Sequence, residues 1–364
     1  MRLNALTSLR FIAAMGVFIH HFHFFENTKS TLAQQIYKIF YEGFVGVTFF
    51  YVLSGFIISY SYHQHKMAGK YSIPQFLRNR VARLYPTHLL TLAIAASVYL
   101  TKEAWAYVNI GTLVTNIFLV QSLVPSLPYF FGFNGVSWSV STEMFFYVGF
   151  IFLTTFNTRQ LLGLWSILLA TIIWHLIFMD PSNQYTYWTL YINPAFRAID
   201  FITGMILFRF YNSREFSISF KWATGLELLS ITMLAGFVFV GINHVNMLLR
   251  LDIYYIAPMA AIVFIFAIGK GWFSKILANR FIVLLGEASF SLYMIHQILI
   301  NYAVKKFSSL VNIDSMKSVI IFMIPVIIIG IILSVVMYKF FEKPLNNLLR
   351  SKSKEKQQVL SIIR

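Results

Sequence analysis

Long apolar windows separated by short polar segments run through this chain from end to end. They lie near Leu6–Phe25, Phe44–Tyr60, Pro86–Leu100, Trp138–Phe156, Leu161–Met179, Ala195–Phe210, Trp222–Val240, Ile253–Ile268, Ile282–Ala303 and Val319–Phe340. At about 15–22 residues, most approach the roughly 20 that a helix needs to cross bilayer hydrocarbon. Composition agrees, with 58% apolar and 12% charged residues and a mean hydropathy of +0.69. Soluble domains hold about 45–50% apolar and about 25% charged residues. The expected fold is all-α, a polytopic transmembrane bundle of about ten spanning helices.

The net charge of +16 does not call for a nucleic-acid partner, because the basic residues gather between apolar windows, as cytoplasmic loops do. This places His65–Arg83, Arg209–Lys221, Lys270–Arg280 and Lys343–Arg364 on the cytoplasmic side with the N-terminus. The other side receives Glu26–Lys38, Val124–Ser137, Asp180–Asn193 and Gly241–Leu251, and also Lys305 and Lys306. A further apolar stretch, Val108–Val120, is counted as non-crossing, since a crossing would move every later basic loop outward. One domain over 1–345 and a solvated basic tail over 346–364 are expected. The chain has no cysteine, which excludes disulfides, thiolate catalysis and cysteine metal sites. The first window lacks a small-residue cleavage site and reads as a retained helix.

Polar residues inside the windows are the candidates for chemistry, because lipid makes them costly. From Arg10 to His21 the helix makes close to three whole turns and rises ~16 Å, so both side chains share a face. A snorkelling arginine and an interfacial histidine are the plainer alternative. In Ser139-Val-Ser141-Thr-Glu143 a carboxylate enters about one and a half turns into a span, beside serines that suit either helix capping or the lining of a site. Arg197 and Asp200 stand at i, i+3 and can pair. Ser289, Tyr293 and His296 form a polar stripe that suits interhelical bonding or a cavity wall. Arg80 and Arg83 offer two guanidinium forks suited to phosphate oxygens, just before Pro86 opens a span. No compact His/Asp/Glu ligand motif is present, so no metal is expected.

Six segments together resemble acyltransferase family 3. They are Arg10 with His21, Phe49-Phe-Tyr-Val-Leu-Ser54-Gly55-Phe56, Arg80-Val-Ala-Arg83-Leu-Tyr-Pro86, Trp138-Ser-Val-Ser-Thr-Glu143, Ser289-Phe-Ser-Leu-Tyr293-Met-Ile-His296 and Phe341-Glu342-Lys343-Pro344. They occur in the family's order. The resemblance implies a membrane enzyme that moves an acyl group, commonly acetyl, from coenzyme A to hydroxyls of glycans, lipids or antibiotics. It implies Arg10 and His21 as catalytic or donor-site residues, Arg80 and Arg83 as coenzyme A contacts, and Glu143 as a further essential group. Asp200 departs from the glutamate more usual in the family. Some members carry a C-terminal extracytoplasmic hydrolase domain. At this length the chain is expected to lack one, and so to acylate its acceptor directly or through a separate extracytoplasmic partner.

On this basis acetyl-CoA is the expected co-substrate, delivered from the cytoplasmic side of a plasma (inner) membrane. Neutral His21 serves as general base, with Glu143 orienting the imidazole and Tyr293 or Ser139 stabilising the oxyanion. An acyl-His21 intermediate is the alternative. Ser139, Ser141, Tyr293, His296 and Arg197 are candidates for substrate contact. The expected acceptor is an envelope glycan, lipopolysaccharide or lipid-linked sugar, with membrane lipid around the bundle. The aromatic segment Gln184–Tyr191 suits either sugar stacking or an interfacial belt. The rival classes are a secondary transporter with an intramembrane Arg/His/Glu path and a non-catalytic envelope scaffold.

Overall fold

Polar residues just ahead of apolar runs start many of the helices. The side chains of Ser30, Asn109, Asn157, Asn193, Ser219, Asn279 and Ser315 each accept a bond from a backbone N–H of the following first turn, relieving donors that would otherwise be unpaired. At Asn157 the bond is reciprocal. Gln160 N donates to Asn157 Oδ1 at 2.9 Å, and Asn157 N donates to Gln160 Oε1 at 2.8 Å, a capping box.

The computed structural model describes residues 3–23, 26–69, 72–98, 109–181 and 183–350, and among these residues no strand occurs. The helices of eight residues or more are α1 Asn4–His20, α2 Thr31–Tyr41, α3 Gly46–Met67, α4 Ile73–Val98, α5 Ile110–Ile117, α6 Trp138–Leu153, α7 Thr158–Phe178, α8 Pro194–Asn212, α9 Phe220–His244, α10 Ile256–Ile268, α11 Arg280–Glu287, α12 Ser289–Phe307 and α13 Met316–Met337. The chain folds as a helical membrane bundle. Among the described residues, six helical stretches are long and apolar enough to cross a membrane, or seven if α11 and α12, bent by 59°, form one span. The other expected spans lie on α1, α4 and α8. Of these, α1 has 17 residues, about 25 Å of helix, while α4 and α8 carry the charges discussed below.

The Val108–Val120 stretch resolves into α5, whose eight residues cover only about 12 Å. The chain then turns at Leu119, which has a positive φ of 54°. That helix is too short to cross. Val108, the ends of two expected spans at Phe24, Phe25, Tyr99 and Leu100, and most of the expected tail, 351–364, lie outside the described residues.

Burial separates core helices from lipid-facing ones. In the apolar 18-residue window of Thr31–Met67, which contains α3, 72% of residues are buried, against 11% in that of α7 and 17% in that of α9. Accordingly α7 presents Ile167, Trp174, Ile177 and Phe178 outward. The central helix α3 packs closely on α8, where Gly55 and Gly204 face each other. A Cβ on either would overlap backbone atoms of the opposite helix, so the absent side chains allow the close approach. Buried charges fasten the rest. Glu227 of α9 accepts from the backbone N–H of Gly271 (3.1 Å) and Phe273 (2.9 Å) and from Ser274 Oγ (2.5 Å), and Glu42 takes an ion pair from Arg250 and a hydrogen bond from Tyr255 Oη at 2.5 Å.

The non-crossing α5 makes a topological prediction. With no cysteine to remove, single cysteines at Lys66 and Lys221 should react with an impermeant maleimide from one side of the membrane, and one at Asp180 from the other. Labelling of Lys66→Cys and Lys221→Cys from opposite sides would mean an odd number of crossings between them.

Candidate active site

Helical spacing helps gather the polar residues of five helices around one cavity. On α4, Arg80 and Arg83 are three apart; on α6, Ser139, Glu143 and Tyr147 recur every fourth residue; on α12, Ser289 and Tyr293 do the same. With Arg10 of α1 and Ser54 of α3, they line a cavity of about 230 Å³. Among the described residues, none of Arg10, Arg80 and Arg83 has an ion-pair partner. The Arg80 guanidinium lies over the Phe76 ring at 5.5 Å and the Tyr147 ring at 5.7 Å, and its buried Nε has no acceptor. Aromatic faces thus stabilise the cation without using up that donor. The one carboxylate in the lining, Glu143, accepts from Ser54 Oγ at 3.0 Å. Glu342, bonded by Ser291 Oγ at 2.6 Å, interacts with Arg83 and Arg10 from behind.

A second cavity, about 750 Å³, lies at the other end of α1. Its lining includes His20, His21, His23, Tyr41, Phe44, Phe131, Trp138, Tyr187, Tyr191 and Gln297. His21 follows the last residue of α1, and its Nδ1 lies 2.8 Å from Val17 O and 3.2 Å from His296 Nε2. His296 Nδ1 lies 2.6 Å from Tyr293 O. A carbonyl only accepts, so each histidine bears its proton on Nδ1 when neutral, a tautomer assigned from these partners. His296 Nε2 then accepts from His21, and among the described residues no hydrogen-bond partner occupies the lone pair of His21 Nε2.

The two cavities share two lining residues, Val47 and Tyr293. At this junction Tyr293 Oη and Ser139 Oγ are 2.7 Å apart, and Tyr293 Oη is 3.4 Å from Val136 O. Arg10 lines one chamber, His21 lines the other, and the two adjoin at Val47 and Tyr293. The expected pairing of Glu143 with His21 gives way to another arrangement. Glu143 faces the arginines, and the neighbour of His21 is His296. Ser54, Tyr147, Glu342, Trp138 and Gln297 were not singled out as site residues from sequence. Tyr147 could have been, since it extends the Ser139–Glu143 register by one more turn. Among the described residues, no group of three or more His, Asp or Glu side chains is arranged to hold a metal.

Comparison with known proteins bears on this site. The family profile described as an acyltransferase domain matches residues 3–339. The acyltransferase MdmB of Streptomyces mycarofaciens is 36% identical over 156 residues, 41% of this chain and 38% of its own. The O-acetyltransferase OatA of Staphylococcus aureus (strain NCTC 8325 / PS 47) is 23% identical over 367 residues, 94% of this chain and 57% of its own. The chain thus spans just over half the length of that staphylococcal relative. No solved structure matches it.

Three of the expected contact residues, Ser141, His296 and Arg197, stand outside both linings. Ser141 Oγ is bonded to Leu119 O (2.9 Å) and Ser122 Oγ (2.7 Å), bracing the turn after α5. Arg197 is fully buried. It pairs with Asp200 at 2.6 Å and donates to Leu251 O (2.7 Å) and Thr48 Oγ1 (2.8 Å), with buried Asp252 also interacting. This cluster ties α8 to α3 and to the segment before α10. Truncating one member of a buried pair costs about 3–5 kcal/mol. Arg197→Ala should therefore lower the melting temperature of the purified protein by several degrees. Unchanged melting with a weakened substrate KM would return Arg197 to the site.

Proposed function

Because the chain belongs to acyltransferase family 3, we propose that it is a membrane O-acyltransferase whose first chamber holds an acyl-CoA and whose second admits a hydroxyl acceptor. The observation that carries this reading is the junction. A chamber with three guanidiniums that lack ion-pair partners among the described residues adjoins, at Tyr293 and Val47, a chamber into which an imidazole projects. Phosphates are costly to bring into an apolar bundle unless paired, and arginine forks match phosphate oxygens in pairs of hydrogen bonds. Arg80 and Arg83 hold the coenzyme A phosphates at the cytoplasmic face of a bacterial plasma membrane, and Arg10 receives the donor deeper in the bundle.

The reaction then runs at the junction. His21 Nε2 takes the proton of the acceptor hydroxyl as its oxygen attacks the thioester carbonyl. Tyr293 Oη and Ser139 Oγ are the nearby donors for the oxyanion. The intermediate collapses by breaking the C–S bond, and the thiolate recovers the proton from the His21 imidazolium, giving an ester and free coenzyme A. His296 is a positioning residue that holds the His21 tautomer, while Glu143 and Glu342 act on the arginines electrostatically without ion-pair contact. The chain's own thioester chemistry calls for no metal, since the carbonyl is already activated.

The second chamber fits a sugar acceptor. Tyr41, Trp138, Tyr187 and Tyr191 supply apolar ring faces, and Gln297 and the histidines supply a few polar groups, the usual composition of a site for a compact polar ligand. An envelope glycan or lipid-linked sugar is the acceptor class. The transporter alternative draws no support from relatives named for acyl transfer.

Transfer from radiolabelled acetyl-CoA to envelope glycan in membrane vesicles tests this reading. His21→Ala should lower kcat by about 10²–10⁴-fold with normal insertion, and near-normal turnover would remove the base. The Arg80→Ala/Arg83→Ala double variant should raise the KM for acetyl-CoA at least about tenfold, the equivalent of ~1.4 kcal/mol, while leaving the acceptor KM unchanged. Equal effects on both substrates would remove the donor assignment.

A further inference from the structure

We propose that the constriction formed by Val47 and Tyr293 fixes the length of the acyl chain, with acetyl as the fitting length. The inference rests on the acyl-CoA reading above. Its starting point is that these are the two residues lining both chambers. A donor anchored by arginines in one chamber and a base projecting into the other can meet at the thioester carbonyl only where the chambers touch. The carbon chain beyond that carbonyl must therefore lie against the same two side chains.

Both walls are held in place. Val47 is 3% exposed, and a β-branched side chain in a helix has one strongly preferred rotamer. The preceding Gly46 packs so closely on α1 that a Cβ there would meet Ala13 O and Val17 Cγ2, so the start of α3 cannot shift that way to make room. On the other side, the Tyr293 hydroxyl is 2.7 Å from Ser139 Oγ, and its ring stands edge-on to Phe50 at 5.9 Å. An added methylene has to displace packed atoms, which close-packed cores resist. In an apolar pocket one methylene changes kcat/KM by about 10–200-fold.

The test measures transfer from acetyl-, propionyl- and butyryl-CoA by the full-length protein and by Val47→Ala and Val47→Ile. The wild type should prefer acetyl over butyryl by about 100-fold or more. Val47→Ala should reduce that ratio at least about tenfold, and Val47→Ile should raise the preference for acetyl over propionyl. Because the readout is a ratio within one variant, a general loss of activity does not mimic it, and the two substitutions must move it in opposite directions. Ratios within about twofold of wild type in both variants, or equal use of butyryl and acetyl by the wild type, would overturn the filter alone. Absence of any acyl-CoA-dependent transfer by the wild type would overturn the enzymatic reading, and the filter with it.

Discussion

An arginine inside a membrane bundle is costly unless its charge is met, and this chain meets it in two different ways. Arg197 is enclosed, paired with Asp200, bonded to Thr48 and Leu251 and attended by Asp252. Nothing in that cluster opens to a cavity lining, and its effect is to lock three parts of the chain together. Arg10, Arg80 and Arg83 line a cavity instead, with aromatic rings beneath Arg80 and the carboxylates Glu143 and Glu342 nearby, yet without an ion pair among the described residues. The same residue type thus serves as a closed fastener in one place and as an open positive field in another. Three cations against one carboxylate in the lining leave the space net positive, which favours an anion within it.

Hydropathy made the bundle legible and at the same time hid its most important members. The windows at Leu161–Met179, Trp222–Val240 and Val319–Phe340 are strongly apolar overall, and they became α7, α9 and α13, the least buried of the long helices. Three of the helices that build the site or brace it, α1, α4 and α8, fall short of the same criterion. Arg80, Arg83 and Arg197 contribute to the shortfall of α4 and α8, whereas α1, at 17 residues, is simply short. Reading the polar residues as exceptions to the pattern, rather than the pattern itself, is what finds the chambers.

Sequence also gives depth without neighbours. Arg197 and Asp200 were legible as a pair because i, i+3 spacing on one helix settles it, whereas Asp252 belongs to another segment and no local rule connects it to them. Glu143 and His21 lie on separate helices, so a shared depth could not say whether they touch. The structure gives each a different neighbour, Ser54 for the one and His296 for the other. His296 was visible as part of a polar stripe, but its contact with His21 depends on how α12 packs on α1, which periodicity leaves open.

The position of His21 at the end of α1 joins stability to chemistry in one contact. The last carbonyls of a helix lack partners from a following turn, and here Val17 O accepts a backbone bond of 3.3 Å from His21 N and a shorter 2.8 Å contact from the same residue's imidazole. A side chain that caps its own helix surrenders its Nδ1 proton direction to the backbone, so the ring cannot present the other tautomer without giving up the cap. His296 reinforces the choice, because its Nδ1 is committed to Tyr293 O and its Nε2 can then only accept. One interaction therefore ends the helix, fixes the imidazole plane and leaves Nε2 basic. It also links that ring, through the Tyr293 backbone, to the residue whose side chain stands at the junction of the two chambers.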